Sequence, residues 1–299
     1  MATRYFFTRS RDAGRATHVH VFDSVADMVA QSNTPAHAAQ DPGIVRRIMS
    51  RASGDDWTYG ALKDGATYDH AMLTGWRDAL PRIEALAARV APNVATPLDV
   101  RRKLRRGPEG DELDIHAVNA GNLPRAWSAR RRSLARAPAP IRILCNVIYN
   151  CASDGEDFFW RGAVALALVR ALRRKGYRTA ISGIGLLVSP YSARGRKSAL
   201  DYVARFDALR YGEAIDTARL AAVLCSPAML RHTIFRTVLT TPAQVSSGFG
   251  YAPRDEQTTA CIVASGAWPQ TVEERLVIPD LRNQTAAGEW LARMSARFA

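Results

Sequence analysis

Apolar positions along the chain change their period in a way that outlines an α/β protein. Ile141 to Tyr149, IRILCNVIY, is a nearly continuous apolar run, as expected of a strand covered on both faces of a parallel sheet. After a turn, FFWRGAVALALVRAL is apolar almost all round, which predicts a helix from about Asp157 to Arg174 sandwiched inside the protein. Ser153 and Glu156 fit a capping box at its start, and Arg173, Arg174 and Lys175 before Gly176 have the composition of a helix C-terminus. Tyr177 to Val188 reads as the next strand, so 141–188 forms one βαβ unit.

The flanking patterns are weaker. THVHVFDS at 17–24 alternates like a half-buried strand, and Ser24 with Asp27 predicts the cap of a helix over VADMVAQS. IVRRIMSRA reads as helical, and Trp57, Tyr68, Met72 and Trp76 supply apolar anchors beyond it. Thr96, Pro97 and Asp99 predict the start of a helix, PLDVRRKLRR, ending at Gly107-Pro108. The turn-rich segment GPEGDELDIHAVNAGNLPRAW follows, and ARRRSLARAPAP then reads as a linker. Its Ala-Pro alternation at 137–140 divides the chain into a smaller α+β region, 1–136, and an α/β domain, 141–299. In the second part Ser198–Leu209, Thr259–Ala264 and Arg275–Ile278 are expected strands, and Ile215–Leu224 is an expected helix. Ser226-Pro227 opens another helix, and Thr285 caps the last, where Ala287, Trp290, Leu291, Met294 and Phe298 share a face.

Composition narrows the class. A hydrophobic content of 47% is enough for a packed core, so the chain is globular and not disordered. The start, MATRYFFTRSRD, carries charges where a secretory signal needs an apolar run. No stretch approaches the roughly 18–20 apolar residues of a membrane span. A cytoplasmic protein without membrane contact is expected. Cys145, Cys151, Cys225 and Cys261 form no CxxC pair and read as reduced core residues. The net charge of +13 draws polyanions to the chain by its long-range field. However, only four of the 41 basic residues are Lys, and GC-rich coding favours Arg and Ala together, so charge alone does not name a partner.

Two basic runs carry most of the candidate chemistry. Arg101, Arg102, Lys103, Arg105 and Arg106 crowd the end of the expected helix, and Arg130, Arg131 and Arg132 crowd the linker with Arg136. Together they could neutralise several phosphates or form a solvated surface. Trp127 is the one aromatic between the runs, so a base-stacking platform is not indicated. Asp111, Glu112, Asp114 and His116 could hold a cation, or form an acidic loop that offsets the neighbouring arginines. His18 and His20 read as an exposed strand face. Arg161, inside the apolar helix, needs a partner, and Asp157 four residues earlier is placed to form a structural ion pair. There is no GxxxxGK[ST] and no GxGxxG after a strand, and SSGFG at 246–250 is not a nucleophile elbow, so no cofactor is expected.

Three blocks, WTYG…YDHAMLTGW at 57–76, GDELDIHAVNAGNLPRAW at 110–127 and FFWRGAVALALVRALRRKGY at 158–177, resemble a family of uncharacterised proteins of tailed bacteriophages. The resemblance implies a phage or prophage origin and, with it, the host cytoplasm; it implies no activity. The second segment also resembles a von Willebrand factor A-type domain, which implies a three-layer Rossmann-like fold acting as an interaction module through the top of its sheet. The place of that fold's metal-binding DxSxS is taken by Asn150, Cys151, Ala152, Ser153 and Asp154. Asn replaces the first Asp, Ala the first Ser and Asp the second Ser, leaving Asn150, Ser153 and Asp154 as magnesium ligands of a weakened site. Three functions are expected in order: a non-enzymatic module binding a protein partner; a sequence-tolerant nucleic-acid binder using the 101–136 basic region; and a metal-dependent hydrolase built on Asp111, Glu112, Asp114 and Asp154.

Overall fold

The computed structural model describes residues 4–9, 16–51, 62, 65–91, 103–110, 112–131, 139–149, 155–188, 200–242 and 273–298. It is a mixed α/β fold around a six-stranded sheet. The strands are β1 (Arg4–Arg9), β2 (Ala16–Phe22), β6 (Ile141–Asn146), β7 (Thr179–Val188), β8 (Leu200–Leu209) and β9 (Glu274–Ile278). Their order is β1-β2-β8-β7-β6-β9. Strand β6 lies between two parallel neighbours, β7 and β9, and β2 pairs parallel with β8. The β1–β2 and β7–β8 pairs are antiparallel. The expected βαβ unit is present as β6, a helix over Gly155–Arg174 and β7. The expected strand at 259–264 and the capping residue Ser153 lie outside the described residues.

The remaining helices are α1 (Val25–Ser32), α2 (Pro42–Arg51), α3 (Gly65–Thr74), α4 (Leu80–Val90), α5 (Ile115–Asn119), α6 (Gly155–Arg174), α7 (Thr217–Cys225), α8 (Phe235–Leu239) and α9 (Gln284–Arg297). A π-helical turn, Met229–Ile234, runs directly into α8. Ser24 caps α1 as the sequence predicts, its hydroxyl accepting from the Asp27 amide at 3.1 Å. The last helix starts earlier than expected: Asn283, and not Thr285, is its cap, accepting from the Ala286 amide at 2.9 Å.

The division at 136–141 does not separate two cores. Strand β2 pairs with β8, and α1, α3 and α4 share one apolar cluster with α6, α7 and α9. A local Ala-Pro signal cannot reveal this, because the pairing joins residues nearly two hundred positions apart. The sheet buries a separate cluster on its other face, from Val19, Val21, Leu144, Ile184, Leu186 and Val203. Among the described residues, no helix contributes to that second cluster, so the helical layer described here covers one face only.

Helix α6 is apolar all round because it is the middle of this layer. It touches β6, β7 and β9 on one side and α4, α7 and α9 on the others. Small residues set the spacing. A Cβ on Gly162 would overlap the Cys225 sulfur of α7, and a Cβ on Gly183 would enter the Phe206 ring. Gly162→Ala is expected to cost about 1–3 kcal/mol by overpacking. Cys225→Ala should recover part of that loss in the double variant, because it removes the obstructing sulfur. Urea unfolding of the four proteins in this cycle would show strictly additive costs if the two positions did not meet.

Candidate nucleic-acid interface

The two basic runs meet in a second, three-stranded sheet. Its strands are β3 (Lys103–Gly107), β4 (Glu112–Leu113) and β5 (Trp127–Arg131), in the order β3-β5-β4. The register opposes Lys103 to Arg131, Leu104 to Arg130, Arg105 to Ala129, Arg106 to Ser128 and Gly107 to Trp127. Strand β4 sets Glu112 opposite Ser128 and Leu113 opposite Trp127. This corrects the 103–106 part of the expected helix PLDVRRKLRR and the 129–131 start of the expected linker; residues 97–102 and 132 lie outside the described residues. Lys, Leu and Arg are good helix formers, but the ladder to a strand some twenty residues downstream overrides that preference.

Local features explain why the chain can close this sheet. A Cβ on Gly110 would lie 2.6 Å from the Ser128 carbonyl carbon and oxygen, so only glycine lets the turn approach β5. The Asp114 carboxylate caps α5, accepting from the His116 amide at 3.0 Å and the Ala117 amide at 3.2 Å. Its other oxygen lies 3.2 Å from Arg106 Nη2. Asp114 is thus committed to a cap and an ion pair. The positive φ of Gly121, 73°, ends the short helix.

Strand alternation divides the charges. Opposed residues share a face, so Glu112, Ser128 and Arg106 lie on one side, and Asp114 joins them through Arg106. The positions of Lys103, Arg105 and Arg131 fall on the other side, with those of Ala129, Trp127 and Leu113. Trp127 is 36% exposed and Leu113 46% exposed, and the nearby Ile115 and Leu123 are also exposed. The segment 101–136 holds ten basic and four acidic residues, a net +6 of the chain's +13.

The other sequence-predicted site residues fall as follows. Arg101, Arg102, Arg132, Asn150, Ser153, Asp154 and Asp111 lie outside the described residues. Among the described residues no group of three or more His, Cys, Asp or Glu side chains is placed to hold a metal ion. Arg161 is buried, but its ion-pair partner is Asp280, with Nη2 2.5 Å from Oδ1, in place of the expected Asp157. Its guanidinium also donates to the carbonyls of Asn146 and Ile148 and lies 4.0 Å from the centroid of the Tyr149 ring. The pairing is long-range because β9 runs beside β6 and delivers Asp280 to the carboxyl end of both strands. His20 is buried, not part of an exposed face, and burial pushes its pKa down to about 4. His18 accepts or donates at 2.5 Å to the Tyr5 hydroxyl. Burial likewise pushes the Cys145 thiol up to about 11 and raises that of Cys225, so both are inert core residues.

Two polar clusters were invisible to sequence reasoning. Arg142 donates through Nε to both Glu273 oxygens at 3.1 Å, and through Nη1 to Ser182 Oγ and Asp207 Oδ1, each at 2.8 Å. The Tyr211 hydroxyl donates to Glu273 at 2.7 Å. In the second cluster, His232 of the π-helical turn places Nε2 3.3 Å from Asp69 Oδ1 and 3.1 Å from Arg236 Nη1, and Asn33 donates to Asp69 at 2.8 Å. Burial acts to raise the Asp69 pKa, but His232, Asn33 and Arg236 outweigh it and hold the carboxyl below its usual range. The single sequence clue to either cluster was a basic or acidic residue interrupting an otherwise apolar stretch, as at Arg142 and Arg231-His232.

A family profile described as a domain of unknown function (DUF7192) matches residues 10–298, and the chain belongs to that family. No curated protein and no solved structure matches the chain.

Proposed function

From this membership, which brings no activity with it, we propose that the protein is a non-enzymatic binding module that holds nucleic acid on the β3–β5–β4 sheet. The observation that carries the reading is the β3–β5 register, which sets Lys103 and Arg105 of one run on the same face as Arg131 of the other, some twenty residues away. Such a patch binds through phosphate neutralisation and counterion release, without reading base sequence. The resemblance of the three sequence blocks to tailed-phage proteins supports a host-cytoplasmic setting for this binding. No helix among the described residues is long and apolar enough to cross a membrane.

A second reading keeps the binding class but takes a protein partner, through the von Willebrand A-like top of the main sheet. What favours it is the Arg161–Asp280 pair at the carboxyl ends of β6 and β9, the end of an α/β sheet where ligands gather. Salt dependence separates the two. The protein is expected to bind duplex DNA or RNA of unrelated sequences with similar affinity at about 50 mM salt, and to weaken steeply as salt rises. Replacing Lys103, Arg105 and Arg131 by Ser should flatten the log K against log salt plot by roughly 2.7, since each phosphate contact adds about 0.9. Absence of any nucleic-acid binding at about 50 mM salt would remove the first reading and leave the second.

A further inference from the structure

The two faces of the small sheet differ in the ligand chemistry they offer. On the Arg106 side the charges are already matched: Asp114 sits 3.2 Å from that guanidinium, and Glu112 shares the face. On the opposite side, among the described residues, the cross-strand partners of Lys103, Arg105 and Arg131 are not acidic. That side also carries Trp127, between Gly107 on β3 and Leu113 on β4. Glycine puts no side chain across from the indole, and Leu113 is itself 46% exposed, so the ring is approachable from the β3 side. Arg131 lies four residues along β5 from Trp127, about 13 Å, so the indole and the outer basic pair sit along one line.

We infer that this face takes single-stranded nucleic acid, with one base stacked on the Trp127 indole and the backbone running past Lys103, Arg105 and Arg131. The inference rests on the nucleic-acid reading above and deepens it. Paired bases in a duplex hide their faces in the helical stack, and an indole on a sheet surface gains nothing from them. Unpaired bases expose a π-face, and a sheet with an aromatic beside cations is a general way to hold them without sequence preference. The sequence pattern, one aromatic between two basic runs, understated this. Pairing of β5 with β3 sets the positions of Lys103 and Arg105 beside the strand that carries Trp127.

The test is fluorescence anisotropy of labelled oligo-dT, oligo-rU and a duplex of equal length with the full chain at fixed salt. Wild type should bind the single strands more tightly than the duplex. Trp127→Ala should weaken single-strand binding about tenfold or more and leave the salt slope unchanged. Trp127→Phe should restore most of the loss, and duplex binding should be unmoved by either variant. Leu113→Ala controls for integrity of the sheet, since it removes the cross-strand neighbour but no π-face. Equal losses in Leu113→Ala and Trp127→Ala would overturn stacking, as would a Trp127→Ala protein that binds single strands like wild type. Should wild type bind duplex with a steep salt slope while Trp127→Ala changes nothing, only this inference falls. If it binds neither form, the nucleic-acid reading falls with it.

Discussion

Replacing Arg142 by Met is expected to lower the unfolding free energy by about 3–5 kcal/mol, because it removes one member of a buried charge network and leaves the others. The Arg142 side chain is 10% exposed, that of Glu273 9% and that of Asp207 19%. Arg142 bridges both carboxylates and the Ser182 hydroxyl, which links β6, β7, β8 and the residue before β9 across one face of the sheet. Arg205 and Arg275 lie farther away, at 3.6 Å from Asp207 and 3.8 Å from Glu273, beyond hydrogen-bond distance, and cannot replace the contacts of Arg142. Arg142→Lys should recover only part of the loss, since one ammonium nitrogen cannot reach Glu273 and, at the same time, Ser182 and Asp207, as Nε and Nη1 do. Replacing Arg142, Asp207 and Glu273 together by apolar residues of similar volume should recover more than Lys does, because no buried charge then remains. Urea denaturation is the measurement. A loss below about 1 kcal/mol in Arg142→Met would mean that the network is hydrated and carries little of the fold.

What the sequence reveals follows the range of the interactions. The β6–α6–β7 unit is legible because its signals are local: an apolar run, a fully apolar helix, and Gly176 after a basic turn. Ser24 is legible as a cap for the same reason, with its acceptor three residues from the donor. Strand β3 is not legible, since Arg, Lys and Leu favour a helix in isolation and only the ladder to β5 makes them a strand. The partner of Arg161 fails in the same way: four-residue spacing points to Asp157, while parallel pairing of β6 with β9 delivers Asp280. The basic residues of the candidate interface are legible one by one. Their convergence on one sheet, and their separation from Glu112 and Asp114, depend on a register that no periodicity encodes.

Loss of Asp280 is expected to be comparably severe, and its pH dependence identifies the cause. Asp280→Ala leaves the Arg161 guanidinium, 3% exposed, with two backbone carbonyls and the Tyr149 ring but without the carboxylate, at a cost of about 3–5 kcal/mol. Arg161→Met should cost less than Asp280→Ala, since it removes the buried cation and leaves a carboxylate that still contacts Arg282 at 2.8 Å. Burial acts to raise the Asp280 pKa, but Arg161 and Arg282 outweigh it and hold the carboxyl below its usual range. The folded-state pKa therefore lies below the unfolded value of about 3.9, and the stabilisation is fully present above that value. It is lost as pH falls through the folded pKa, where the carboxyl is protonated in both states. Wild type and Asp280→Asn should accordingly differ by a constant amount from about pH 7 to pH 5, and the gap should close below about pH 4. Urea unfolding of both proteins across pH 7 to 2 checks this. A gap that persisted unchanged to pH 2 would assign the effect of the substitution to lost packing, and not to the charge that holds Arg161 at the carboxyl ends of β6 and β9.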